Sequence, residues 1–139
     1  MTSRDNITAT IATDGKHNNI LVLDDEPDIT TVITTSLTKN GFNVFGFTNP
    51  FLALEHFQMS FKGYSIILCD LRMPGMNGFE FVRNVREIKP DVKVLLMTAF
   101  DISTNIISEE LLSTRINGFI QKPVSSKELT SILLKHMST

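Results

Sequence analysis

The chain has 139 residues, and 42% of them are hydrophobic, which suits a single domain closed around one sizeable core. With 13 basic and 15 acidic residues the formal charge is −2, so no surface for nucleic acid or another polyanion is implied. No apolar run approaches the roughly 20 residues of a bilayer span, the first residues lack a signal-peptide core, and a lone Cys69 excludes an internal disulfide and fits a reducing cytoplasm.

Residues 1–18 are polar, rich in Thr, Asn and Asp and without periodicity, and read as a flexible N-terminal tail ahead of a domain over 19–139. Ile20-Leu21-Val22-Leu23 then forms a short buried strand that runs straight into Asp24-Asp25-Glu26. Pro27 suits a first helical turn, Ile29, Val32, Ile33 and Leu37 recur at helical spacing, and Asn40-Gly41 ends that helix. Its threonines are poor helix formers, so packing must hold it. Asn43–Phe47 reads as a second strand, and Asn49-Pro50 as an N-cap with proline at N1, launching a helix with Leu54, Phe57 and Phe61 inward and Gly63 as its close.

The third strand, Ser65-Ile66-Ile67-Leu68-Cys69, stops at Asp70, and Pro74, Gly75 and Gly78 open a tight loop after it. A helix from about Asn77 to Ile88 carries Phe81, Val82, Val85 and Ile88 on one face and cannot pass Pro90. Val92–Met97 is a fourth strand ending at Thr98-Ala99, and a fourth helix is expected over 103–114. Phe119-Ile120-Gln121 makes a short fifth strand leading into Lys122-Pro123. Ser125 and Glu128 then form a capping box for a fifth helix that buries Leu129, Ile132, Leu133 and Met137. Five β-α units in succession demand a doubly wound α/β domain, a parallel sheet with helices on both faces.

In such a sheet the carboxyl ends of all strands share one edge, where ligands bind. Asp24 and Asp25 from the first strand, Asp70 from the third, Thr98 from the fourth and Lys122 from the fifth therefore converge. Three clustered carboxylates repel one another unless a cation neutralises them, and hard oxygen ligands suit Mg²⁺ (or Mn²⁺). A lysine and a hydroxyl beside such an ion complete a site for a tetrahedral phosphoryl oxyanion, with Asp70 as its covalent acceptor. Cys69, within a buried strand, reads as core, and His17, His56 and His136 show no metal spacing.

The acidic pair Asp24-Asp25, the run Asp70-Leu71-Arg72-Met73-Pro74-Gly75-Met76-Asn77-Gly78, Met97-Thr98-Ala99 and Lys122-Pro123 together resemble the receiver domain of two-component response regulators, of the stand-alone, chemotaxis-receiver kind, over Asn19 to His136. The resemblance implies a flavodoxin-like five-stranded sheet in the order 2-1-3-4-5. It also implies that Asp70 accepts a phosphoryl group from a sensor histidine kinase. Asp25 and Asp70 would hold Mg²⁺ directly, Asp24 chiefly through water, and the Arg72 backbone carbonyl would add a ligand. Lys122, Thr98 and the Ala99 backbone would contact the phosphoryl group, Thr98 and Phe119 would act as the switch, and Pro123 would follow a cis bond. The fourth helix, fifth strand and fifth helix would then meet a downstream effector, a histidine phosphotransfer protein or a second copy of the chain.

Three departures accompany the resemblance. Arg115-Ile116 stands where many receivers carry Gly-Ala, Val124 where Phe is common, and Phe119 lacks a tyrosine hydroxyl. Phe100, two residues past Thr98, is placed to shield an acyl phosphate from water. Two other readings compete with this one. A Mg²⁺-dependent phosphohydrolase with an aspartyl nucleophile needs a second acid where Arg72 stands. A phosphate-independent interaction module usually loses an acid or the lysine, and this chain keeps them all.

Overall fold

The computed structural model describes residues 18–99 and 114–137. The expected tail, Phe100 and the expected fourth helix lie outside the described residues, apart from Asn18 and Thr114. The elements are β1 (Asn19–Leu23), α1 (Pro27–Lys39), β2 (Asn43–Phe47), α2 (Pro50–Ser60) with a 3-10 turn (Phe61–Gly63), β3 (Tyr64–Asp70), α3 (Gly78–Ile88), β4 (Lys93–Thr98), β5 (Gly118–Gln121) and α4 (Ser126–Met137), which is the helix expected last in the chain. The sheet order is β2-β1-β3-β4-β5 and every pairing is parallel.

Because successive strand residues point to opposite faces, the apolar runs supply two cores at once. Ile20, Val22, Ile66, Leu68, Leu95 and Met97 pack with Ile33 and Leu37 of α1 and Leu129 and Leu133 of α4. Leu21, Leu23, Ile67, Cys69, Val94 and Leu96 pack with Ala53 and Phe57 of α2 and Phe81, Val82 and Val85 of α3. The helices begin where the sequence signals them. Asn49 accepts from the N–H groups of Phe51 and Leu52, Asn77 and Glu80 form a capping box, and Ser125 and Glu128 form another. Each such cap contributes about 1 kcal/mol.

Where packing differs from the helical spacing, the cause is local. Val32 is 67% exposed, whereas Thr30 is buried. A Cβ at Gly46 would lie 2.8 and 2.9 Å from the methyls of Thr34 and Thr30, so α1 sits close against β2 with its threonine methyls inward. Val32 is thereby turned to solvent. On α2 the buried line is Ala53 and Phe57, with Leu54 only partly covered, and Phe61 lies in the 3-10 turn that follows. On α4, Ile132 and Met137 are half-buried.

Arg86, one residue past Val85 on the inner side of α3, escaped the apolar pattern altogether. It is buried, and its guanidinium donates to the carbonyls of Pro90, Val92, Thr114 and Arg115 and to Asn117 Oδ1. Burial, then the Arg115 charge, pulls its pKa below the ordinary value, but a guanidinium stays charged, and the carbonyls stand in for water. Asn117 adds bonds in both directions, Oδ1 accepting from Val94 N and its own N–H donating to Val94 O. This end of the sheet, remote from the strand ends that carry the acids, is thus tied by one arginine and one asparagine.

The departure at Arg115 has a backbone consequence. Its φ is 57°, in the left-handed region that a glycine adopts without strain. The residue preserves the turn into β5 at a cost in conformational energy. Arg115→Gly should therefore raise stability by about 0.5–1 kcal/mol, the left-handed strain less the entropy glycine brings to the unfolded chain. Urea unfolding of the two proteins measures this, and a less stable variant would show that the Arg115 side chain contributes more than the strain costs.

Candidate functional site

At the carboxyl edge of the sheet, four strands end within one cleft. Asp24, immediately after β1, is fully buried. Each of its polar groups is held. Its N–H donates to Phe47 O at 3.1 Å, its Oδ1 accepts from Glu26 N at 3.0 Å, and its carbonyl accepts from Thr30 Oγ1 at 2.7 Å. Its Oδ2 receives Lys122 Nζ at 2.8 Å. Asp70, the last residue of β3, is 6% exposed, and the same ammonium lies 3.3 Å from its Oδ1. Asp25, half-buried, completes a set of three carboxylates whose oxygens lie within 4.8 Å of one another, the one such cluster among the described residues.

The backbone around these side chains is tight. Leu71 N donates to Met97 O, tying the end of β3 to β4, and Lys122 N donates to Thr98 O, tying β5 to β4. Gly78 begins α3 and its N–H reaches Leu71 O at 2.8 Å. A Cβ there would stand 2.8 Å from the Asp70 carbonyl oxygen and 3.0 Å from Leu71 Cα, so only glycine lets α3 press against the end of β3. The Lys122–Pro123 peptide bond is cis. The resulting cleft, of about 260 Å³, is lined by Asp25, Glu26, Asp70, Arg72, Thr98, Ala99 and Lys122. Thr98 is buried, Arg72 is exposed at the rim, and Phe119 is half-buried against the core shared with α2 and α3. Val124 packs on the opposite core.

Electrostatics follow from this crowding. Burial, then the charge of Asp24, pushes the Asp70 carboxyl up to about 6, against the opposing charge and hydrogen bond of Lys122. Burial alone would pull Lys122 down, but the hydrogen bond and charge of Asp24, with the charge of Asp70, hold its ammonium above the usual lysine value. Cys69 is pushed well up by burial and by the same two acids, which keeps it an unreactive core thiol. Three carboxylates facing one ammonium leave an excess of negative charge in oxygen-only surroundings. That donor set fits a hard divalent cation.

The sequence-derived residues Asp24, Asp25, Asp70, Arg72, Thr98, Ala99 and Lys122 are all brought to this edge. Phe119 and Pro123 flank it. Two contributors went unnoticed in the sequence. Glu26 lines the cleft and is signalled only by its adjacency to the acidic pair. Thr30 binds the Asp24 carbonyl, and nothing in a threonine-rich helix marks one threonine over its neighbours.

Comparison with known proteins gives concordant findings. The family model "Response regulator receiver domain" matches residues 20–134. Response regulator receiver protein CpdR of Brucella abortus is 36% identical over 81 residues, 58% of this chain and 66% of that protein. Transcriptional regulatory protein ZraR of Klebsiella oxytoca is 32% identical over 83% of this chain, which spans only 25% of its length. Among solved structures, the receiver domain of sensor histidine kinase PA1611 from Pseudomonas aeruginosa, with a magnesium ion coordinated in its active-site cleft, aligns with TM-score 0.76 and 26% identity. The alignment covers 88% of this chain and 98% of that one.

The raised Asp70 carboxyl makes stability depend on pH. Between the unfolded pKa near 4 and the folded value of about 6 the folded state binds more protons, so stability falls as pH rises through that window. Asp70→Asn removes the penalty and should stabilise the metal-free protein at pH 7 by about 1–2 kcal/mol, with the gain vanishing below about pH 4. Chemical denaturation at pH 4, 5.5 and 7 in chelator checks this. A pH-independent difference would mean that Asp70 is not perturbed.

Proposed function

The chain belongs to the response regulator receiver family of two-component systems, and we propose that it works as a phosphorylation switch with Asp70 as the acceptor. The observation that carries this reading is the position of Asp70: a buried carboxylate at a strand end, 3.3 Å from Lys122 and beside Asp25, in a cleft with room for a phosphoryl group. With a pKa of about 6, Asp70 is mostly ionised at neutral pH and is therefore a competent nucleophile.

In this reading, Asp25, Asp70 and the Arg72 backbone carbonyl would hold Mg²⁺ or Mn²⁺, and Asp24 would contribute through water. Asp24 suits that indirect role because both of its carboxylate oxygens already have donors, Glu26 N–H and Lys122. When bound, the ion neutralises the acids and the charge of the incoming phosphoryl oxygens. An oxygen of Asp70 attacks phosphorus as the bond to the donor, a phosphohistidine of a sensor kinase, breaks. Lys122 then shifts from the carboxylates toward the new phosphoryl oxygens, as a point charge rather than a fork. The Thr98 hydroxyl and the Ala99 N–H complete the contacts.

Thr98 moving toward the phosphoryl group would vacate space beside Phe119, and the half-buried ring would turn inward. Signalling then means a shift in the balance of two existing states, one of which presents a different surface on the segment before β5, on β5 and on α4. An effector, a phosphotransfer protein or a second copy of the chain would read that surface. The magnesium ion in the PA1611 receiver supports the choice of ion.

Incubation with Mg²⁺ and acetyl phosphate should add one phosphoryl mass, detectable by intact mass spectrometry. Asp70→Asn or omission of Mg²⁺ should abolish the adduct. An adduct that survives on Asp70→Asn, or none on the wild type, would overturn the assignment.

A further inference from the structure

Asp24 and Asp25 are consecutive, so the peptide plane between them sets where the Asp25 carboxylate points. The oxygen of that plane is the Asp24 carbonyl, and the described structure gives it one side-chain donor, Thr30 Oγ1 at 2.7 Å. Thr30 is buried in the first turn of α1, and its own N–H is fixed to Glu26 O at 3.0 Å. Hydroxyl and methyl share one Cβ and turn together about χ1, so the hydroxyl cannot swing away while the methyl stays in place. The methyl is in turn confined by β2, since a Cβ at Gly46 would come within 2.9 Å of it. Gly46, Thr30, the Asp24 carbonyl and Asp25 therefore form one continuous chain of contacts from the edge strand to the acidic cleft.

We propose that Thr30 is a positioning residue for the divalent-cation site, aiming Asp25 through the Asp24 carbonyl, and that Gly46 is the gap that permits it. The inference rests on the reading that Asp25 and Asp70 hold the ion. It accounts for two otherwise unrelated features, a threonine where an aliphatic residue would bury more apolar surface and a glycine inside a strand, where it costs stability. Thr34 accompanies this arrangement by donating to Thr30 O at 2.9 Å, which braces the same turn.

Three variants of the full chain separate the hydroxyl from the packing. Thr30→Val keeps the shape and removes the donor, Thr30→Ser keeps the donor and removes the methyl, and Gly46→Ala removes no polar group but pushes on the methyls, and the Thr30 hydroxyl with them. Mg²⁺ affinity is read by titration calorimetry, with circular dichroism and thermal midpoint recorded alongside. The loss of one buried hydrogen bond predicts that Thr30→Val binds Mg²⁺ about three- to tenfold more weakly, with Thr30→Ser within about twofold of wild type. Gly46→Ala should weaken binding in the same direction as Thr30→Val. A purely structural threonine would lower the thermal midpoint and leave Mg²⁺ affinity alone.

Wild-type affinity in Thr30→Val, or equal losses in Thr30→Val and Thr30→Ser, would overturn the inference while leaving the metal site standing. Should Thr30→Val fail to fold, Gly46→Ala decides: weaker binding upholds the link, and unchanged binding overturns it. A wild type that takes up no Mg²⁺ at all would overturn the reading of the cleft, and this inference with it.

Discussion

The Lys122 ammonium, shared between Asp24 at 2.8 Å and Asp70 at 3.3 Å, is the interaction on which the rest of the site depends. Three carboxylates packed within 4.8 Å of one another, two of them buried, repel strongly in a medium less polar than water. One cation cannot balance them. It binds most closely to the fully buried Asp24 and leaves the remaining negative charge on the solvent side, at Asp70 and Asp25. A buried ion pair is a poor device for stability, because desolvating the charges offsets much of their attraction. Here the arrangement leaves the cleft in electrostatic demand, with unbalanced negative charge on its solvent side.

That demand can be met only if the strand ends stay put. β1 and β5 are separated in the sheet by β3 and β4, so the ion pair spans the whole central edge. Backbone bonds from Leu71 to Met97 and from Lys122 to Thr98 lock the intervening strand ends, and the glycine at position 78 brings α3 into contact with the Asp70 carbonyl. The opposite edge is held in another way. Arg86 gathers carbonyls from the α3–β4 loop and from the approach to β5, so the shortest strand is secured at both ends. The acids and the lysine thus lie at one edge of the sheet, and the other is secured by an arginine and an asparagine, with Arg115 in a glycine-like conformation.

Much of this was legible beforehand. Apolar runs ending in Asp, Thr and Lys, alternating with amphipathic segments, leave a parallel sheet as the only way to bury both strand faces, and the acids and the lysine must then meet. The capping residues Asn49 and Ser125 were equally readable, because a cap is a local bond between near neighbours, whereas Asn77, expected as the start of its helix, is instead its cap. The errors fell where burial depends on a distant partner. Val32 sits on a plausible apolar line but is exposed, since Gly46 on β2 draws the threonine side of α1 inward. Arg86 drew no expectation at all, because its partners are carbonyls, which are present at every residue and leave no mark in a sequence.

The amino-acid sequence by itself determined the succession of elements, the residues that close each strand and the family to which the pattern belongs, because these follow from periodicity, from capping and from a run of motifs in order. Only the tertiary structure decided how the acids differ in their surroundings. Asp24 and Asp25 are adjacent identical residues, and nothing local tells them apart. Packing buries the first, ties its N–H to the Phe47 carbonyl of β2, gives its oxygens donors from the Glu26 backbone, Thr30 of α1 and Lys122, and leaves the second lining the cleft. The Asp70 pKa of about 6 is likewise a property of its surroundings, set by burial and by a neighbour's charge across the sheet edge. Charge and solvent access act through space, between residues as far apart in the chain as Asp24 and Lys122, so they exist only once the fold has formed.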